Sequence, residues 1–153
     1  MAKWFENDEI GIYFGFVPQI GVRYILPSMD KEEKKSVKKY PFVNKIALFV
    51  FIEDKRKSKT YSFTIPKGYC FDGASVPRFF WRVIGSNTDN KFLVAAMIHD
   101  YMCENHSCIG NDRALSTIVF NSLLEVSGVG KFKRFCMKKS VDIFQKCFCD
   151  WRK

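Results

Sequence analysis

The chain has 153 residues, 47% of them hydrophobic and 16 of them Phe, which argues against a disordered chain and suffices for a single domain with a real core. Its net charge of +9 admits nucleic acid, anionic lipid or an acidic wall polymer as partners, while no apolar run reaches the length of a membrane span. Met1 to Glu9 is too acidic for an export signal, so the expected compartment is cytoplasmic.

The first third reads as strands. Ile10 to Val17 is β-rich, with Ile12, Phe14 and Phe16 alternating against Gly11, Tyr13 and Gly15. Pro18 to Gly21 is a turn signal, and Val22 to Leu26 is the expected returning strand. Lys31 to Lys39 has mixed charge and no clean face, so a loop or one short helix is expected. Asn44 to Ile52 carries the strongest strand signal, a continuous apolar run from Ile46 to Ile52. Glu53 to Lys59 is a polar hairpin tip. Thr60 to Ile65 alternates Tyr61, Phe63 and Ile65 against Ser62 and Thr64, which buries one face.

Residues 67–77 leave the sheet as a Gly/Pro loop. Ser75 can cap a helix with Pro77 in its first turn, running to about Gly85. Asn90 to Glu104 is apolar almost all round and is placed centrally. On it, His99 shares a face with Phe92, Ala95, Ala96, Met102 and Cys103, and Asp100 lies beside it. Gly110 and Asn111 open a third helix ending near Gly128, with Leu115, Val119, Leu123 and Val126 inward. Asp112 sits in its first turn, where the helix dipole favours a carboxylate. A fourth helix spans about Lys131 to Cys149, with Phe132, Cys136, Ile143, Phe144 and Cys147 inward. Strands over 1–66 and helices over 78–153 give an α+β domain: an N-terminal antiparallel sheet of about four strands packed on a C-terminal bundle of about four helices.

Six Cys (Cys70, Cys103, Cys108, Cys136, Cys147, Cys149) are expected as thiols in a cytoplasmic chain. Cys103-x-x-His106-x-Cys108 has ligand types at close spacing, but no second pair completes a zinc site. The basic residues are spread over both halves, which puts nucleic acid behind protein or cell-wall polymer as a partner. Lys131-Phe132-Lys133-Arg134-Phe135 interleaves basic and aromatic residues, yet Phe132 belongs to the helical stripe.

Asp72, Ser75, His99, Asp100 and Asp112 are short polar groups in apolar surroundings. Buried unpaired, each costs several kcal/mol, so they form either a structural network or an active site. As a site, His99 and Asp100 hold a divalent metal or activate water, Asp72 and Asp112 complete a carboxylate-rich ligand set, and Ser75 positions the loop. As a network, the carboxylates satisfy a buried imidazole. Ser75 lacks the Gly-x-Ser-x-Gly context of a nucleophile. Ala95-Ala96-Met97-Ile98-His99-Asp100 also resembles the His-Asp helix of the metal-dependent phosphohydrolases, but the further upstream His that they need is missing.

Pro66-x-Gly68-x-x-x-Asp72-Gly73-Ala74-Ser75-x-Pro77, then Ala95-Ala96-x-Ile98-His99-Asp100, then Asp112 opening a helix, resembles a small uncharacterised family. It is a domain of unknown function encoded by tailed bacteriophages and prophages, and the resemblance covers about the last two thirds of the chain. Phe71 departs from it, because the family more often has a small polar residue there. The resemblance implies phage origin and the α+β build, and location in the host cytoplasm or with the virion. It implies no settled activity. Three function classes remain: a metal-assisted hydrolase of host cell wall or a phosphate ester; a non-enzymatic virion, assembly or host-factor-binding protein whose His/Asp cluster is structural; and, behind these two, a nucleic-acid-binding accessory protein that uses the basic surface.

Overall fold

The computed structural model describes residues 2–71, 90–126, 128, 130–132, 134–136 and 138–139. An N-terminal antiparallel sheet and a C-terminal helical region make it an α+β fold. The main sheet has the order β1-β2-β5-β6, from β1 (Ala2–Glu6), β2 (Ile10–Phe14), β5 (Leu48–Asp54) and β6 (Lys59–Ile65). A second sheet, β3-β4-β7, is built from β3 (Ile20–Val22), β4 (Phe42–Asn44) and β7 (Cys70–Phe71).

The period-2 pattern decides which face is buried. Ile10, Ile12 and Phe14 of β2, Leu48, Val50 and Ile52 of β5, and Phe63 and Ile65 of β6 all point into one core. The register places them opposite one another, Ile12 facing Ile52 and Val50 facing Phe63. β1, at a segment read only for charge, covers the outer edge of β2, and Trp4 packs on Phe14 with ring centroids 4.9 Å apart.

Two strand expectations need correction. Val22 to Leu26 does not return along β2, because β1 and β5 already occupy both of its edges. The chain instead pairs Ile20–Val22 with β4, and Tyr24, Ile25 and Leu26 lie exposed beyond it. Phe16, expected inward, is 68% exposed, since β2 ends at Phe14. The run Asn44 to Ile52 is likewise two strands. Asn44 belongs to the second sheet and Leu48 to the first, so the chain crosses between sheets at 45–47.

α1 (Lys31–Lys39) is the short helix foreseen as one of two options. Its start is a capping box: Asp30 accepts from the Glu33 amide and Glu33 accepts from the Asp30 amide. Its end is held by Arg23, which donates to the Tyr40 carbonyl at 3.0 Å. Val37 is its one buried residue.

α2 (Asn90–Glu104) is central, as its composition required: Leu93 through His99 are seven consecutive buried residues. A 3-10 turn (His106–Ile109) follows. Gly110 and Asn111 then both take positive φ, 64° and 59°, to redirect the chain into α3 (Arg113–Val126). A Cβ at Gly110 would stand 3.3 Å from the Tyr61 ring, so both backbone and space call for glycine. α3 buries Leu115, Val119, Phe120, Leu123 and Leu124 against α2 and the sheet. The described residues from 131 to 139 are helical. Phe132, expected inward, is instead 79% exposed. Ile143, Phe144 and Cys147 lie outside the described residues, as does the expected Ser75–Gly85 helix.

Candidate functional site

The second sheet delivers the chain to the candidate loop. Asn44, fully buried, is its anchor. Its amide nitrogen donates from Nδ2 to the carbonyls of Ile65 and Pro66 at 3.2 and 3.1 Å. Its backbone accepts from Gly68 and donates to Tyr69, both at 2.8 Å. Four bonds from one residue thus fix the turn between β6 and β7, in which Gly68 takes φ +89°. β7 then ends at Phe71. Asp72 and Ser75 follow immediately and lie outside the described residues.

Across from this turn stands the C-terminal half of α2. Tyr69 donates to Glu104 Oε2 at 2.9 Å and packs edge-on against Tyr101, which stacks on Phe63. Burial, then the charge and hydrogen bond of Glu104, hold the Tyr69 phenol far above its usual range, with Asp100 and Cys103 adding to it. Tyr69 therefore stays protonated and acts as a donor. Asp100 is half-buried on the same part of α2.

His99 is 1% exposed. Its ring packs on Phe120 with centroids 4.8 Å apart. Cys103 Sγ lies 3.6 Å from Nε2 and 3.8 Å from Nδ1, so the sulfur sits nearly equidistant from both nitrogens. This pair follows from the i, i+4 spacing that put both residues on one helix face. Burial depresses the imidazole to about 3, which keeps it neutral throughout the physiological range. A neutral imidazole is a competent metal ligand, but one this reluctant to charge is a weak base.

Asp112 is occupied elsewhere. It is the N-cap of α3, accepting from the Leu115 amide at 3.0 Å. Its other oxygen accepts from Lys57 Nζ at 2.8 Å and lies 4.0 Å from Arg56. Burial pushes its carboxyl up, but the Lys57 bond, the Leu115 amide and the charges of Lys57 and Arg56 outweigh it and hold the group below its ordinary range. His99 is not among its partners. The ring packed on His99 belongs to Phe120, eight residues further along α3, or about 12 Å of helix. Whether Asp72 meets His99 falls outside the described residues.

The partners of Asp112 come from the β5–β6 tip. There the fully buried Asp54 holds Arg56 through Nε at 3.0 Å and Nη2 at 3.1 Å, a bidentate pair. Sequence reading missed the Lys57–Asp112 pair, because no local signal joins residues 55 positions apart. Among the described residues no three His, Cys, Asp or Glu groups lie close enough together to hold a metal ion. Cys103, His106 and Cys108 thus form no such site: His106 Nδ1 bonds Asn111 Oδ1, and burial raises the Cys108 thiol to about 11. Cys70, Cys103, Cys108 and Cys136 are free thiols.

Comparison with known proteins then places the chain. Residues 49–141 match the family described as "Protein of unknown function (DUF1353)". The chain belongs to this family. The match begins in β5 and takes in the Asp54 clamp, the Asn44-anchored turn, α2 and α3. The chain is also similar to "Uncharacterized protein y4jT" of Sinorhizobium fredii (strain NBRC 101917 / NGR234), at 44% identity over 48 residues. That stretch covers 31% of this chain and 14% of the relative, so the two share one segment of a much longer protein. No solved structure matches the chain.

Proposed function

We propose that the chain is a non-enzymatic phage protein, a virion or assembly component or a binder of a host factor, in which the His/Asp residues specify the fold. The observation that carries this reading is the sealing of His99, 1% exposed and held neutral by burial. An active-site imidazole needs a substrate or water within reach, whereas a fold-specifying one needs its polar partners inside the core. The commitment of Asp112 to a helix cap and two cations supports the same reading. Phage origin rests on the Pro66-to-Pro77 and Ala95-to-Asp100 pattern, and it implies residence in the host cytoplasm or with the virion.

One observation favours a second reading, the metal-assisted hydrolase. His99 and Asp100 lie in the C-terminal half of α2, opposite the turn that leads into Asp72. His99 and Asp100 with Asp72 would be the ligand set, and Ser75 would position the loop. Asp112 would have to leave its cap to join them.

Metal content and melting separate the two. Protein purified without added metal should carry no stoichiometric divalent ion, and its melting temperature should not respond to Mn²⁺, Zn²⁺ or Mg²⁺. His99→Leu should melt lower by an amount worth roughly 1–3 kcal/mol, the cost of orphaning buried polar partners. A bound metal in wild type, with a metal-dependent rise in melting that His99→Leu abolishes, would establish the hydrolase reading instead.

A further inference from the structure

We infer that the cleft between α3 and the helical residues after Gly130 binds single-stranded nucleic acid, independently of the His/Asp region. The cleft encloses about 320 Å³. Arg113, Thr117 and Ile118 line it from α3, and Phe135, Lys138 and Lys139 line it from the other side. The exposed Lys138 and Lys139 bring positive charge to this small volume, the Thr117 hydroxyl being already donated to the Arg113 carbonyl, and none of its described lining groups is a carboxylate. Such a lining favours an anionic group such as a phosphate.

The second observation is independent of the cleft. The interleaved segment Lys131-Phe132-Lys133-Arg134-Phe135 would be unremarkable if its phenylalanines were core. They are not: Phe132 is 79% exposed and Phe135 58%. Lys139 Nζ stands 5.6 Å from the centre of the Phe135 ring, so ring and cation already form one unit. Arg134 turns away to pair with Glu125 at 3.1 Å, and Lys131, Lys138 and Lys139 are exposed cations among the described residues of this surface.

Exposed aromatic rings beside a cation-lined groove are what a base and its phosphate require. The base stacks on the ring and the phosphate enters the groove. A duplex keeps its bases stacked and cannot use the rings. A lipid surface would use the lysines and phenylalanines but has no need of a cleft between helices.

Fluorescence anisotropy with a labelled oligothymidylate, an oligouridylate and a duplex of equal length tests this. Binding should be tighter for the single strands and should weaken between roughly 50 and 200 mM salt. Lys138→Ala with Lys139→Ala, and separately Phe135→Ala, should each weaken it by about tenfold. Because these side chains are exposed, the variants should melt like wild type. Lys31→Ala with Lys35→Ala on α1 removes two charges elsewhere and should leave binding nearly unchanged, which separates a site from the net charge of +9. Competition by adenosine monophosphate tests a free nucleotide as the source of the phosphate: displacement of the oligonucleotide only at a large molar excess is expected, and tighter binding of the mononucleotide than of the strand would overturn the proposal. So would equal affinity for duplex and single strand, indifference to Phe135→Ala, or binding confined to phosphatidylserine vesicles.

Discussion

Asp112 is the residue whose role changes most between sequence and structure. By residue type it suits a metal or a histidine; by position it caps α3 and receives Lys57 and Arg56. Substitutions distinguish its two duties. Asn is a good cap but carries no charge, so Asp112→Asn should cost less than about 1 kcal/mol, the scale of a half-exposed ion pair. Asp112→Ala loses cap and pair together and should cost about 1–2 kcal/mol. Equilibrium urea unfolding of both variants checks this. Equal losses would mean that charge dominates over capping. Asn44 is the opposite case, a residue with no sequence signal that proves central. Its side-chain amide makes two of its four bonds in a buried position, so Asn44→Ala should destabilise by roughly 1–3 kcal/mol. A loss within error of zero would show that the β6–β7 turn is held by something else.

At the scale of elements, periodic segments were legible and partner choice was not. α2 came out at its expected bounds, because fifteen residues of nearly all-round apolarity allow only a buried helix. β6 buried the face that its alternation named. The errors share a cause. Local pattern gives strand character but not the neighbouring strand, so the turn at Pro18–Gly21 looked like a hairpin until β1 and β5 were seen on the edges of β2. Similarly, the apolar run through Ile46 hid the crossing between sheets, which depends on bonds from Asn44 to residues more than 20 positions away. Phe132 shows the limit of helical spacing: a stripe identifies a face, not whether anything packs on it. For α1, whose pattern was weakest, the cap decides. Asp30→Ala should lower stability by about 1 kcal/mol and shorten the helix; unchanged amide exchange across 31–39 would contradict that.

For the whole molecule, the buried neutral imidazole links the fold to pH. In the folded protein His99 takes up a proton only near 3, but in the unfolded chain it does so near 6.5. Between those values the unfolded state binds the extra proton, so stability is full above about 6.5 and falls as pH drops. From about pH 6.5 to about pH 5, before most carboxylates titrate, the loss should reach roughly 2 kcal/mol, and His99→Leu should flatten that slope. The candidate site was thus half legible: the sequence picked out His99 as the singular residue of a buried helix, but only packing reveals that burial seals it and that Asp112 faces the hairpin tip. The most direct test of this account is the titration of the two imidazoles by NMR, with His106→Gln assigning the signals. The account predicts that His99 remains neutral from about pH 8 down to about pH 5 and is unmoved by divalent metal. A His99 midpoint near 6.5, or a metal-induced shift of its ring signals, would contradict it.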